Sequence, residues 1–207
     1  MLDRNGSGAF SWIIAGLDYV AQNANVIGVA NLSLGAVGGT NPLTSFLNSS
    51  ALFRSAVQNA ANAGVVIVAA AGNEGVDVTQ SNVVPGGYPE VISVSALSDS
   101  NGQVGSDSWA SFSNFGSEVD IIAPGVNILS TSIGGGTSSL SGTSFSAPHV
   151  AGTVGLYVAK NGRPSTGNAQ LLGSLISSIS KSRLALSGEP SDGFIEPSCY
   201  ANGTGLK

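Results

Sequence analysis

Hydrophobic and polar positions along the chain switch repeatedly between a helical period and an extended one. From Phe10 to Gln22, Trp12, Ile13, Leu17, Val20 and Ala21 recur at helical spacing. Val26 to Leu34 then reads as a strand ending at Gly35. Leu43 to Ala63 predicts a second helix with Phe46, Phe53, Val57 and Ala60 on one side, and Gly64 is a natural C-cap. The β-branched run Val65 to Ala71 ends in Gly72-Asn73 and predicts a central strand buried on both faces. Pro85, Gly86, Gly87 and Pro89 punctuate the loop that follows. Further strands are expected over Val91–Leu97, Val119–Ile122 and Ile128–Ser132, and helices over Ser144–Lys160 and Thr166–Lys181. This alternation predicts an α/β fold with a mainly parallel sheet. Doubly wound folds open on a strand, whereas this pattern opens on a helix. The expected architecture is therefore an α/β fold whose N-terminal part is missing.

Composition narrows the function classes. The 207 residues suffice for one domain with a full core. Only 9% are charged and 42% are hydrophobic, yet no apolar run approaches the ~18 residues that cross a bilayer, so no membrane partner is expected. Seven basic against twelve acidic residues give a net charge of −5 and no basic patch, which argues against nucleic acid. A single cysteine, Cys199, excludes an internal disulfide framework and a cysteine-ligated zinc site. The first residues lack the basic start and apolar core of a signal peptide.

The chemistry gathers in the run Gly142-Thr143-Ser144-Phe145-Ser146-Ala147-Pro148-His149. It puts Ser144 at the mouth of a helix with a proline just inside the first turn. There, backbone N–H groups can hold an oxyanion. Asn73, just past a buried strand, offers a side-chain amide as a second donor at the end of the sheet where open α/β folds place ligands. His149 stands five residues after Ser144 on the same helix. It lies ~140° around and ~7.5 Å along, out of reach of the serine hydroxyl, and reads as a packed, hydrogen-bonded helix residue.

These residues carry a resemblance. Gly142-Thr143-Ser144 with Pro148-His149-Val150-Ala151-Gly152 resembles the serine motif of the subtilisin-like serine proteases, the subtilases of peptidase family S8. Ala70-Ala71-Gly72-Asn73-Glu74-Gly75 resembles that family's oxyanion segment, and Asn31-Leu32-Ser33-Leu34-Gly35 its substrate-binding strand. Ser111 to Gly116, Asp120 to Val126 and Leu2 to Gly8 are similar to further segments, in the family's order. The match is strongest over residues 1–160 and closest to secreted members including the proteinase K group.

The resemblance implies a three-layer subtilisin-like fold, residues 1–207 being a partial catalytic domain, and a serine endopeptidase of extended polypeptides working through an acyl-enzyme. Ser144 would be the nucleophile and Asn73 part of the oxyanion hole. Ser33, Leu34 and Gly35 would pair with substrate as an added strand. Ala70, Ala71 and Gly72 would line the pocket for the side chain before the cleaved bond. No cofactor is required for the chemistry, but a structural calcium would sit on Asp120 and the carbonyls of Pro89 and Val91, near those of Gly86 and Tyr88. Val84-Pro85 matches a site where the family often has a cis proline.

The family's order is aspartate, histidine, serine. No D-[ST]-G or H-G-[TS]-H stands in this chain. The expectation is that an upstream segment supplies both groups, that the isolated chain is inactive or nearly so, and that the full-length parent is secreted. The alternative is a non-catalytic peptide-binding pseudoenzyme or an inactive gene fragment. Ser178-Ile179-Ser180-Lys181 fits S-x-x-K without its companion motifs, and residues 142–146 fail the G-x-S-x-G elbow at the last position.

Overall fold

The elements run α1 (Phe10–Gln22), β1 (Val29–Leu32), β2 (Ala36–Val37), α2 (Thr44–Asn62), β3 (Val66–Ala70), β4 (Val83–Val84) and β5 (Ile92–Ser98). They continue through β6 (Ser108–Trp109), β7 (Ile121–Pro124), β8 (Ile128–Thr131), β9 (Thr137–Leu140), α3 (Thr143–Asn161), β10 (Lys181–Ser182) and β11 (Cys199–Tyr200). This computed structural model describes residues 3, 8–38, 44–99, 107–163, 181–182 and 199–200, with 44–49, 181–182 and 199–200 as backbone. The side chain of Phe46 and the helix expected over Thr166–Lys181 lie outside the described residues, except that Lys181 opens strand β10.

The main sheet is ordered β1-β3-β5-β7-β11-β10, with β6 paired to β5. The pairs β1/β3, β3/β5 and β5/β7 are parallel, as the crossover pattern requires. Strand β3 is buried at every position, because helices cover both faces. Val66, Val68 and Ala70 point to one face, where Ala147, Val150 and Val154 of α3 close the core. Val65, Ile67 and Ala69 point to the other, against Phe53, Val57 and Ala60 of α2 and Ile13 and Leu17 of α1. The result is the three-layer α/β architecture.

Several boundaries shift for local reasons. α1 matches its predicted span, but Trp12 is 54% exposed and leaves the core stripe to Ile13 and Leu17. The strand expected from Val26 begins at Val29, because Val26 and Ile27 donate their N–H groups to Asn23 O and complete a turn after α1. Gly64, at φ +93°, caps α2 as expected, with its N–H on Ala61 O and that of Val65 on Ala60 O. Strands β2, β4, β6 and β9 are too short or too polar to announce themselves in the sequence.

Candidate active site

Three chain segments meet at the carboxyl ends of the parallel strands. Ser33-Leu34-Gly35 leaves β1, Gly72-Asn73 leaves β3, and Thr143-Ser144 opens α3. Gly72 holds φ +105°, and a Cβ there would run into the side chains of Asn114 and Glu74, so only glycine fits. Buried Asn114 fixes this turn. Its Oδ1 accepts the N–H groups of Glu74 and Val76, and its Nδ2 donates to Ala71 O and to Glu74 Oε2.

Thr143 ties the β3 turn to the helix. Its N–H and its hydroxyl both donate to Asn73 Oδ1, at 2.8 and 2.9 Å, and its hydroxyl oxygen accepts the N–H of Gly72 at 3.1 Å. With Oδ1 so engaged, the donor end of the Asn73 amide is left for a ligand. Ser144 lies on the other side of the turn, half-buried. Its hydroxyl donates to Ser33 O at 3.4 Å, and the Ser33 hydroxyl donates to Ser144 O at 2.7 Å.

A cavity of about 110 Å³ opens between these segments. Leu34, Gly35, Ala70, Gly72, Asn73 and Ser144 all line it, together with Ala36, Val37, Val83, Glu74 and Thr143. Ser33 does not line it and instead bonds Ser144. Ala71 corrects the expectation that it shapes the pocket. Side chains alternate along an extended segment, so Ala70 and Gly72 face the cavity while Ala71 packs against Val78, Val83 and Val119. Glu74 is the charged residue among the lining groups.

His149 is exposed rather than packed, and its Nδ1–H donates to Phe145 O at 2.7 Å. Geometry thus keeps it from Ser144, as helical spacing requires. Pro148 is the sixth residue of α3 rather than part of its first turn. The Val84–Pro85 peptide is cis.

Asp120 stands apart from this cleft, beside the start of β5. Its Oδ2 accepts the N–H of Ser93 at 2.8 Å. Burial pushes its carboxyl up to about 7, against the Ser93 hydrogen bond and with added repulsion from Glu118. Among the described residues, no three His, Cys, Asp or Glu gather as a metal cluster. A cation here would rest on the Asp120 carboxylate and backbone carbonyls, a donor set that suits a hard ion.

Sequence reasoning named Ser144 and Asn73 but missed the partners that orient them. Thr143 and Asn114 were present only as letters within matching segments; a polar residue inside each segment was the available signal.

Known proteins resemble this chain in sequence and in fold. The family model for the subtilase family, Peptidase S8, matches residues 1–191. Subtilisin E of Bacillus subtilis (strain 168) is 41% identical over 173 residues, covering 83% of this chain and 40% of its own length. The cuticle-degrading protease of Metarhizium anisopliae is 38% identical over 163 residues, covering 79% of this chain and 38% of its own. The chain thus spans about 40% of the length of the first curated relatives it matches. A crystal structure of a cold adapted subtilisin-like serine proteinase superposes with a TM-score of 0.74 at 36% identity, over 97% of this chain and 63% of that one. Family model, relatives and solved fold agree on one assignment: the chain belongs to the subtilase family.

Proposed function

We propose that this chain carries the nucleophile and oxyanion half of a secreted serine endopeptidase. Ser144 attacks the carbonyl of an extended polypeptide. Asn73 Nδ2 and the Ser144 N–H receive the oxyanion. The observation that carries this reading is the double engagement of Asn73 Oδ1 by Thr143, which leaves the amide donor beside the serine. Leu34 and Gly35 line the cleft and Ser33 is bonded to Ser144 just before them, the edge an added strand would need. The small, apolar walls at Ala70, Gly72 and Val83 suit an apolar side chain before the cleaved bond.

A serine needs a base within hydrogen-bonding reach. The chain's single histidine is turned to Phe145 O. The base and its orienting carboxylate are therefore assigned to polypeptide outside this chain, and the isolated chain is inactive or nearly so. A structural calcium on Asp120, Pro89 O and Val91 O would stabilise the fold without entering the chemistry.

Coding DNA upstream of Met1 is the first test: in-frame D-[ST]-G and H-G-[TS]-H motifs are expected, and their absence overturns the assignment. The second is labelling with a fluorophosphonate. Slow labelling confined to Ser144 is expected of the isolated chain. Peptide binding with no labelling under any condition would favour the pseudoenzyme instead.

A further inference from the structure

α3 has a gap in its hydrogen bonding, placed at the nucleophile. In an α-helix the carbonyl of residue 144 accepts the N–H of residue 148. Residue 148 is proline, which has no N–H and whose ring crowds the carbonyl one turn before it. The Ser144 carbonyl is thus deprived of its ordinary helical donor. The Ser33 hydroxyl fills the gap from another element, at 2.7 Å. Asn31 Nδ2 donates to that hydroxyl at 2.9 Å, which leaves its hydrogen for Ser144 O. The Ser144 hydroxyl returns to Ser33 O at 3.4 Å. Backbone and side chain of the nucleophile are therefore both bound to one residue at the end of β1.

We propose that Ser33 is a positioning residue for Ser144, oriented by Asn31 and given its place by Pro148. The inference rests on Ser144 being the nucleophile. Without the Ser33 hydroxyl, the first turn of α3 is free to tilt about Pro148, and Ser144 Oγ moves relative to the donors beside Asn73. A displacement of ~1 Å at a reacting atom can cost roughly a hundredfold.

A peptide boronic acid tests this without a catalytic base in the assay. The Ser144 oxygen bonds to boron, its proton passes to solvent, and boron becomes tetrahedral, which ¹¹B NMR reads directly. The wild-type chain is expected to give the tetrahedral signal and Ser144→Ala to lose it. Ser33→Ala should weaken uptake roughly tenfold, the scale of one lost hydrogen bond, and Ser33→Thr should recover most of the loss. In a Pro148→Ala background, where an N–H again reaches the Ser144 carbonyl, Ser33→Ala should cost less. The ¹³C shift of the Ser144 carbonyl should move in Ser33→Ala irrespective of any ligand. Exposed Asn31→Ala is the second variant, with a smaller loss expected, should Ser33→Ala fail to fold. Wild-type uptake matched by Ser33→Ala or by Asn31→Ala overturns the inference alone. A wild-type chain giving no tetrahedral boron overturns the nucleophile reading and this inference with it.

Discussion

The side-chain oxygen of Asn73 accepts two hydrogen bonds from Thr143, one from the backbone N–H at 2.8 Å and one from the hydroxyl at 2.9 Å. An amide so held cannot flip, so the Nδ2 end stays available at the cavity. Thr143→Val keeps the shape and the backbone bond but removes the hydroxyl bonds to Asn73 and Gly72. It should weaken boronate uptake roughly tenfold. Asn73→Ala should weaken it more, since losing one oxyanion donor costs ~10²–10³ in turnover, a magnitude established on subtilisin itself. Titration followed by ¹¹B NMR checks both.

The Asn114 side chain makes four hydrogen bonds from a fully buried position, three of them to backbone groups of the Asn73 turn. Asn114→Ala leaves the N–H groups of Glu74 and Val76 and the carbonyl of Ala71 without these partners. The Ala71 carbonyl is the buried one of the three and Glu74 and Val76 reach solvent in part, so a loss of about 1–3 kcal/mol is expected. Urea denaturation of the purified variant measures it, and a change below ~1 kcal/mol would contradict the pinning role.

Glu90 couples stability to acid. Burial raises its carboxyl, but the hydrogen bonds from Arg54 and Gln58 and the Arg54 charge outweigh it and hold the group below its ordinary 4.5. A carboxyl depressed in the folded state stabilises the fold above its unfolded value. That contribution disappears as pH falls through the folded value. Arg54 is 44% exposed in this pair, which limits the effect to about 0.5–1 kcal/mol. Arg54→Ala should flatten the acid side of the stability curve as pH falls below the ordinary 4.5, measured as urea midpoints.

Calcium should raise the melting temperature of the wild-type chain and a chelator should reverse the rise. Saturation at ~100 times the dissociation constant is worth about 2.7 kcal/mol. Asp120→Asn, which keeps the side chain's size but removes its charge, should abolish the calcium response. An equal response in wild type and variant would remove Asp120 from the site.

Local pattern was enough for much of the architecture. Period-two and helical spacings are set by residues within one turn or a few strand positions of each other, so α1, α2, β3, β5 and α3 were legible within a few residues. Elements of two residues, such as β2 with β4, carry no periodicity. They exist because Ala36 and Val37 find Val84 and Val83 across the fold. The site followed the same rule. Ser144 and Asn73 stood in recognisable segments, whereas Thr143 as the holder of Asn73 is a contact across 70 positions.

The sequence by itself determined the α/β alternation, the helix-borne serine, the amide at a strand's end and the separation of His149 from Ser144. Each follows from chemistry and geometry inside one element. Only the tertiary structure decided that Ala70 faces the cavity while Ala71 turns away. It alone decided that Asn114 clamps the Asn73 turn and that Ser33 takes the carbonyl Pro148 leaves without its helical donor. The Ser33–Ser144 bond joins residues 111 positions apart, and no local preference encodes such a pairing. Strand register and helix docking set it, through burial on both faces of the sheet.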